Sequence, residues 1–263
     1  IGFLVFGAAL GVTGGGEFFM NFAAALLGRT RGGPAKVAIL SSGFFGSLSG
    51  SVISNVVTTG QLTIPTMKRA GYTPAYAASV EACASTGGTL MPPVMGAVAF
   101  LMAEFLNIPY RDIVIAAAVP SFLFYLALLL QVDCYAAVKG LKGQPASEIP
   151  SLWGTLKDGW FYLFSLLLLV YLLVWARMEL YAPYYATAVL LASAAIFRKK
   201  ERRFNFTKFR ELIIESASII ASIIAILAGI GVIVGSLAFT GVGGAFSREL
   251  LGYADGNLPL LLA

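Results

Sequence analysis

Apolar runs of helical length alternate along this chain with short patches of Gly, Ser, Thr and Asn. Residues 1–12 predict an apolar helix that stops at Thr13-Gly14-Gly15-Gly16, and residues 17–28 an amphipathic or surface helix ending in the basic turn Arg29 to Lys36. Two apolar arms, Ala35 to Phe45 and Gln61 to Met67, then enclose the polar stretch Gly46 to Gly60, which reads GSLSGSVISNVVTTG. Each arm, measured to Gly50, is about 15 to 19 residues, marginal or short for a hydrocarbon core ~30 Å thick. Arg29, Arg31 and Lys36 close one outer end, and Lys68 and Arg69 close the other. The pattern predicts a hairpin over 35–69 that enters and leaves through one face of a membrane. Irregular backbone at that depth is tolerated only where it is buried in protein or lines water, so the bend reads as a site.

A span over about 75–106 is interrupted by Ser85 to Gly96, STGGTLMPPVMG. Pro92 and Pro93 remove two backbone donors and clash with the preceding turn, so the helix should break there, at a depth similar to the hairpin tip. Further spans are predicted at about 111–138, 159–176, 180–197 and 211–239, with a polar connection at 139–158 and a basic one at 198–210. The last span is expected to break over Gly235 to Gly244. That break repeats the start of the chain: Thr13-Gly14-x-Gly16-x-x-Phe19 returns as Thr240-Gly241-x-Gly243-x-x-Phe246, an offset of 240 − 13 = 227 residues. Four complete spans separate the copies if the hairpin does not cross, so the copies run in opposite directions. Inverted repeats with broken helices are a signature of secondary transporters. The expected fold is therefore an all-α polytopic membrane protein of the inverted-repeat ion-transporter type. Residues 1–34 carry the broken and surface helices of the first repeat, 35–69 the re-entrant hairpin, and 70–138 the broken span and the span after it. Residues 139–158 form a cytoplasmic connection, and 159–263 begin the second repeat. With Ile1 first and an apolar run from Leu258 to Ala263 last, the chain reads as a fragment of a longer membrane protein.

Composition supports this class. The chain is 58% hydrophobic and 12% charged, with a mean hydropathy of +0.84, whereas soluble domains carry about 25% charged residues. Long apolar runs exclude the alternation of a membrane barrel. The topology places 15 of the 18 Lys and Arg residues on the hairpin's side and leaves only Arg111, Arg177 and Arg248 opposite. That bias makes the hairpin side cytoplasmic. The same clustering at the ends of apolar runs gives the net charge of +5 a topological meaning and points to no nucleic acid. Histidine is absent, which removes His-dependent hydrolysis and the commonest transition-metal ligand. Without a paired intramembrane Asp dyad either, an intramembrane enzyme is not indicated. Cys83 and Cys134 lie in apolar surroundings and are expected to be small buried thiols, not a disulfide.

At the hairpin tip, Ser49, Ser51, Ser54, Asn55, Thr58 and Thr59 supply neutral oxygens and an amide, and Gly50 and Gly60 leave carbonyls approachable. Hydroxyls and unwound carbonyls suit a hard cation such as sodium. The N-terminus of the second arm, near Val52 to Asn55, favours a carboxylate. The competing reading is that these small residues only let helices pack closely. In the second patch Ser85, Thr86 and Thr89 are oxygen donors and Gly87 and Gly88 exposed carbonyls, against the alternative of a simple proline kink. Glu81 is an ionisable group at membrane depth and hence a functional candidate. Three roles stay open for it: relaying protons, tuning a cation site, or capping the broken helix. Asp133 and Glu17 read as structural, Glu17 by complementing a helix dipole. The run Arg198 to Arg210 reads as a topology anchor or lipid-headgroup contact. Trp153, Trp160, Trp175, Tyr181, Tyr184 and Tyr185 read as interfacial belts.

The segments Gly28 to Lys36, Gly46 to Gly60 and Thr63 to Tyr72 resemble the large membrane subunit of TRAP transporters. Glu81 to Gly96 and Ala99 to Glu104 are similar to its fused-permease branch, the TAXI type. The resemblance covers nearly the whole chain, strongly over 28–110. It implies an elevator-type, sodium-coupled importer of organic acid anions in a prokaryotic inner membrane, supplied by a periplasmic TAXI-type binding protein. It also implies a sodium site of Ser49, Gly50, Ser51 and Asn55 facing Ser85, Thr86 and Gly88. Substrate contacts would come from Ser51, Ser54, Asn55, Thr58, Met91 and Pro92, with Glu81 as coupling candidate. Sodium is the only ion implied, and no organic cofactor. The family's second hairpin is expected beyond Gly243 and its small-subunit region ahead of Ile1, so this stretch alone should not transport. The rival function is an ion channel or a proton-coupled transporter using the same broken helices.

Overall fold

The computed structural model describes residues 1–197 and 205–254. Arg198 to Arg203, in the basic run, and Leu258 to Ala263 lie outside the described residues. The chain folds into helices joined by short links, with no strand among the described residues. Residues 1–216 pack as one unit, and a second begins at Ala217.

The first unit is built around α3 (Gly33–Ser49), which packs against α1 (Gly2–Thr13), α2 (Gly15–Leu27), α4 (Val52–Arg69), α5 (Pro74–Gly88) and α7 (Tyr110–Lys139). Along α3 only Lys36, Leu40 and Phe44, one residue per turn, are not buried. A helix enclosed on nearly every side must be thin, and the Gly, Ala and Ser content of α3 supplies that thinness. Helix α4 is patterned the other way out. Asn55, Thr59, Thr63 and Met67, four residues apart, are buried, while Ile53, Val57 and Leu62 are exposed. Polar groups inward and apolar groups outward suit a hydrocarbon surround. Helix α7 agrees, exposing Ile115, Val119, Phe122, Leu123 and Leu130.

Among the described residues three helices are long and apolar enough to cross a membrane: α7, α8 (Leu152–Val174, with the turn Ala146–Glu148 before it) and α10 (Phe206–Thr240). Helices α1 and α2 satisfy the same test as one span bent by 72°. The remaining elements are α6 (Ala97–Leu106), α9 (Ala182–Phe197) and α11 (Val242–Ala254). An all-α polytopic membrane protein is what these elements make.

Two local expectations are sharpened and two change. Of the amphipathic and surface readings of 17–28 the structure gives the amphipathic one, since α2 buries Phe18, Phe19 and Ala23 and packs on α3 and α8. Helix α8 is kinked at Gly159 (φ −143°, ψ 21°), where Phe18 packs, so the span expected from 159 begins at that kink; the additional turns from Leu152 are capped by Ser151, which accepts from the Gly154 N–H. The break expected over Gly235 to Gly244 narrows to one residue, Gly241, since α10 continues to Thr240. Cys83 and Cys134 are exposed. They lie off the faces through which α5 and α7 pack, and apolar neighbours in sequence do not separate a core from a lipid-facing surface.

The two Thr-Gly breaks share a local structure. Thr13 Oγ1 donates toward the carbonyls of Ala9 (2.7 Å) and Leu10 (3.2 Å). Thr240 Oγ1 donates toward those of Ser236 (2.8 Å) and Leu237 (3.3 Å). Gly14 (φ 87°) and Gly241 (φ 68°) follow in the left-handed region, and a new helix starts at once.

Candidate functional site

Helices α3 and α4 form an antiparallel hairpin. Ser42 Oγ lies 3.1 Å from Thr59 Oγ1, and Gly46 sits against the Asn55 amide. Both pairs have numbers summing to 101, which centres the bend between Gly50 and Ser51. Gly50 ends α3 with φ 62°, and Ser51 caps α4 by accepting from the Ser54 N–H at 3.3 Å. Such a cap is worth about 1 kcal/mol.

The bend docks on the unwound link between α5 and α6. The Val94 N–H donates to the Ser47 carbonyl at 3.1 Å, and the Gly96 N–H to the Thr89 carbonyl at 2.9 Å. A Cβ on Gly50 would lie 2.3 Å from the Met95 carbonyl oxygen. Met95 itself has φ 58°, a conformation that is rare for a side chain this large and accumulates at ligand sites. Ser49 Oγ is buried and has no hydrogen-bond partner. Carbonyls released from helical bonding, beside an unspent buried hydroxyl, are the donor set that a hard cation takes. Below the bend, α3 and α5 cross backbone to backbone: a Cβ on Gly88 would lie 2.6 Å from Gly46 Cα.

The residues proposed from sequence as one site occupy several places. Ser49, Gly50, Ser51 and Ser54 form the bend, and Gly88 the crossing. Asn55 is fully buried and turned into the hairpin, its Nδ2 donating to the Ser42 carbonyl at 2.8 Å. Ser85 is turned toward Glu81, to which its hydroxyl donates at 3.3 Å. Thr58 is exposed, as is Thr86, whose hydroxyl bonds its own helix at Ala82. Met91 and Pro92 line an apolar cleft of about 430 Å³ with Ile39, Gly43, Phe122 and Tyr125.

Glu81 lies wholly inside, between both arms of the hairpin and α5. Its Oε1 accepts from Ser42 Oγ (2.8 Å), Ser85 Oγ (3.3 Å) and Thr59 Oγ1, and its Oε2 from Thr63 Oγ1 (2.6 Å). Gly60 leaves room for it, since a Cβ there would meet Glu81 Cγ at 3.2 Å. All four donors are hydroxyls, so the geometry is not that of a helix cap. Ser42 and Thr63 escaped notice in the sequence; the signal was the four-residue spacing of Asn55, Thr59 and Thr63 along one face.

Other groups hold the assembly in place. Tyr110 Oη bonds the carbonyls of Pro93 (3.2 Å) and Val94 in the link, and its ring stacks on Phe100 at 4.5 Å. Pro109 offers no side-chain cap to α7, and Glu179 replaces it by accepting from the N–H groups of Tyr110 (3.2 Å) and Arg111 (3.3 Å). Asp133 ties the far end of α7 to Arg31 and to Lys36 (2.6 Å), a structural role as expected.

A hairpin of helices docked on a proline-broken helix, within an apolar all-helical body, defines a polytopic membrane protein with broken helices. Residues 1–263 match the family described as the tripartite ATP-independent periplasmic transporter, DctM component, and the chain belongs to it. Members of that family are multi-pass proteins of the inner membrane, not enzymes. The chain is 34% identical over 162 residues to the C4-dicarboxylate TRAP transporter large permease protein DctM of Pseudomonas aeruginosa, covering 59% of this chain and 38% of that protein. It is 26% identical over 231 residues to the uncharacterised protein YgiK of Salmonella typhimurium, covering 86% and 51%. It is 31% identical over 142 residues to the isethionate TRAP transporter permease protein DctMQ of Oleidesulfovibrio alaskensis, covering 54% and 22%. The chain thus spans between about a fifth and a half of the length of these relatives.

Proposed function

We propose that this chain is part of the permease of a secondary transporter that imports an organic acid anion with sodium, by an elevator movement, from a periplasmic TAXI-type binding protein. A small membrane subunit, fused or separate, completes the assembly. The observation that carries this reading is the bend at Ser49 to Ser51 packed on the unwound link at Val94 to Gly96. There Ser49 Oγ and carbonyls freed from helical bonding can take sodium, and the N-terminus of α4 offers its N–H groups to an anion. Ser51 and Ser54 are the side chains best placed at that N-terminus. Asn55, Ser85 and Gly88 act one layer behind, holding the arms together, while Met91 and Pro92 supply apolar contact. Relatives named for C4-dicarboxylate and isethionate transport support an organic anion as substrate class. The hairpin is re-entrant, opening from the cytoplasm.

The test uses the full-length protein in proteoliposomes with its binding protein. Uptake should require an inward sodium gradient and fall at least tenfold when potassium replaces sodium. Ser49→Ala should raise the sodium concentration needed for half-maximal uptake. Uptake indifferent to sodium would remove the coupling, and unaltered sodium dependence in the variant would remove the site.

A further inference from the structure

The apolar cleft that reaches Met91 and Pro92 is a groove between α3 and α7. Leu40 of α3 lines it together with Phe122, Leu126 and Leu129 of α7, and Met91 and Pro92 close one end. Phe122 and Leu126 are exposed, so the groove is open along its side, where α7 meets hydrocarbon. On α7 its lining runs from Ala118 to Leu129, a rise of about 16 Å. One leaflet, half of a ~30 Å hydrocarbon core, is about as deep.

The lining offers no free hydroxyl. Ser121 Oγ donates to the Ala118 carbonyl of its own helix at 3.0 Å, and Tyr125 Oη to the Ala84 carbonyl at 2.8 Å. A small hydrophilic anion would leave its polar groups unpaired here, at a cost of about 1–3 kcal/mol each. A volume of about 430 Å³ falls in the range of ligand sites, and an apolar chain fits its chemistry.

The other end of the groove decides which apolar chain. On α3, Leu40 lies one turn from Lys36 along the stripe that no helix covers; on α7, Leu129 lies one turn from Asp133. Residues one turn apart are surface neighbours, so the groove ends at the cluster in which Asp133 pairs with both Arg31 and Lys36. Two cations against one carboxylate leave a positive charge. Arg31 is 54% exposed in its side chain and gives Nε and Nη2 to Asp133, which leaves Nη1 for a phosphate. An apolar slot one leaflet deep, ending in surplus positive charge, is complementary to an anionic lipid.

We propose that this groove holds one acyl chain of an anionic phospholipid whose phosphate is bound by Arg31 and Lys36. The chain fills the space between α3 and α7 and ends against Met91 and Pro92, at the edge of the unwound link. The site stands on the groove and its charged rim and needs no transport activity; only its assignment to the cytoplasmic leaflet rests on the orientation proposed above.

The experiment photolabels the detergent-solubilised full-length permease with phosphatidylglycerol that carries a diazirine in one acyl chain, read by peptide mass spectrometry. Label should fall on the peptides that hold Met91, Phe122 and Leu126. Plain phosphatidylglycerol should compete for it at least tenfold better than phosphatidylcholine of the same chains. Arg31→Gln, which keeps the Lys36–Asp133 pair, should abolish that preference, and Ala118→Trp, which puts an indole into the groove, should abolish the labelling. Label confined to other peptides overturns the proposal, as does equal competition by the two lipids. A preference unaltered in Arg31→Gln does so as well, and that variant, at an exposed rim, keeps the test decisive if Ala118→Trp does not fold. Groove labelling seen only after the small membrane subunit is removed would give the groove to a protein helix and equally overturn it.

Discussion

Gly50 carries two constraints that a pair of substitutions can separate. Its φ of 62° is left-handed, and so is the 64° of Gly140. A Cβ on Gly140 meets nothing within 4 Å, whereas one on Gly50 would lie 2.3 Å from the Met95 carbonyl oxygen. An alanine in that conformation costs roughly 1–2 kcal/mol, and forced overpacking adds about 1–3 kcal/mol. Gly140→Ala should therefore lower unfolding stability by about 1 kcal/mol, and Gly50→Ala by about 3 kcal/mol in total. Denaturant midpoints in detergent measure both. Equal losses would mean that the link gives way freely and that the bend is not held against Met95. At this scale the sequence was legible where a residue type is forced, as at Gly50 and at Pro92 and Pro93. It was not legible where a hydroxyl chooses its partner: Thr59 was grouped with the bend, and only packing turned it to Glu81.

Among the elements, the hairpin and the broken helix could be read because polar and Gly/Pro punctuation interrupts otherwise apolar runs. The turns of α8 ahead of Gly159 and the unbroken course of α10 could not, because Gly and Ser are tolerated inside helices of this class. The end-to-end tie between α3 and α7 was also invisible, since Arg31 and Asp133 are 102 residues apart. Asp133 is 28% exposed and Arg31 is 54% exposed in their side chains, while Lys36 is only 14% exposed. Pairs this open to water are worth about 0–1 kcal/mol each and weaken with salt. Asp133→Asn should thus cost about 1 kcal/mol of stability at low salt and less at high salt. A larger, salt-independent loss would show that Asp133 is part of the packed interior and not a clip at the rim.

For the whole molecule the decisive quantity is the face to which the hairpin returns. Arms of 17 and 18 residues are about 25 and 27 Å long, each just short of a ~30 Å hydrocarbon core. Their antiparallel packing brings Lys68 back toward the end at which Arg29 and Lys36 lie, and Asp133 joins Arg31 and Lys36 at that same end. Arg177, in the link between α8 and α9, follows one further crossing and is expected on the other face. Cys83 and Cys134 are exposed, so both must first be replaced by alanine. In that full-length background Arg29→Cys and Lys68→Cys should react with an impermeant thiol reagent only from the cytoplasmic side, and Arg177→Cys only from the periplasmic side. Labelling of Arg29→Cys and Lys68→Cys from opposite faces would make α3 and α4 a single traverse, move every later loop to the wrong side, and place the polar bend where no transport site is needed.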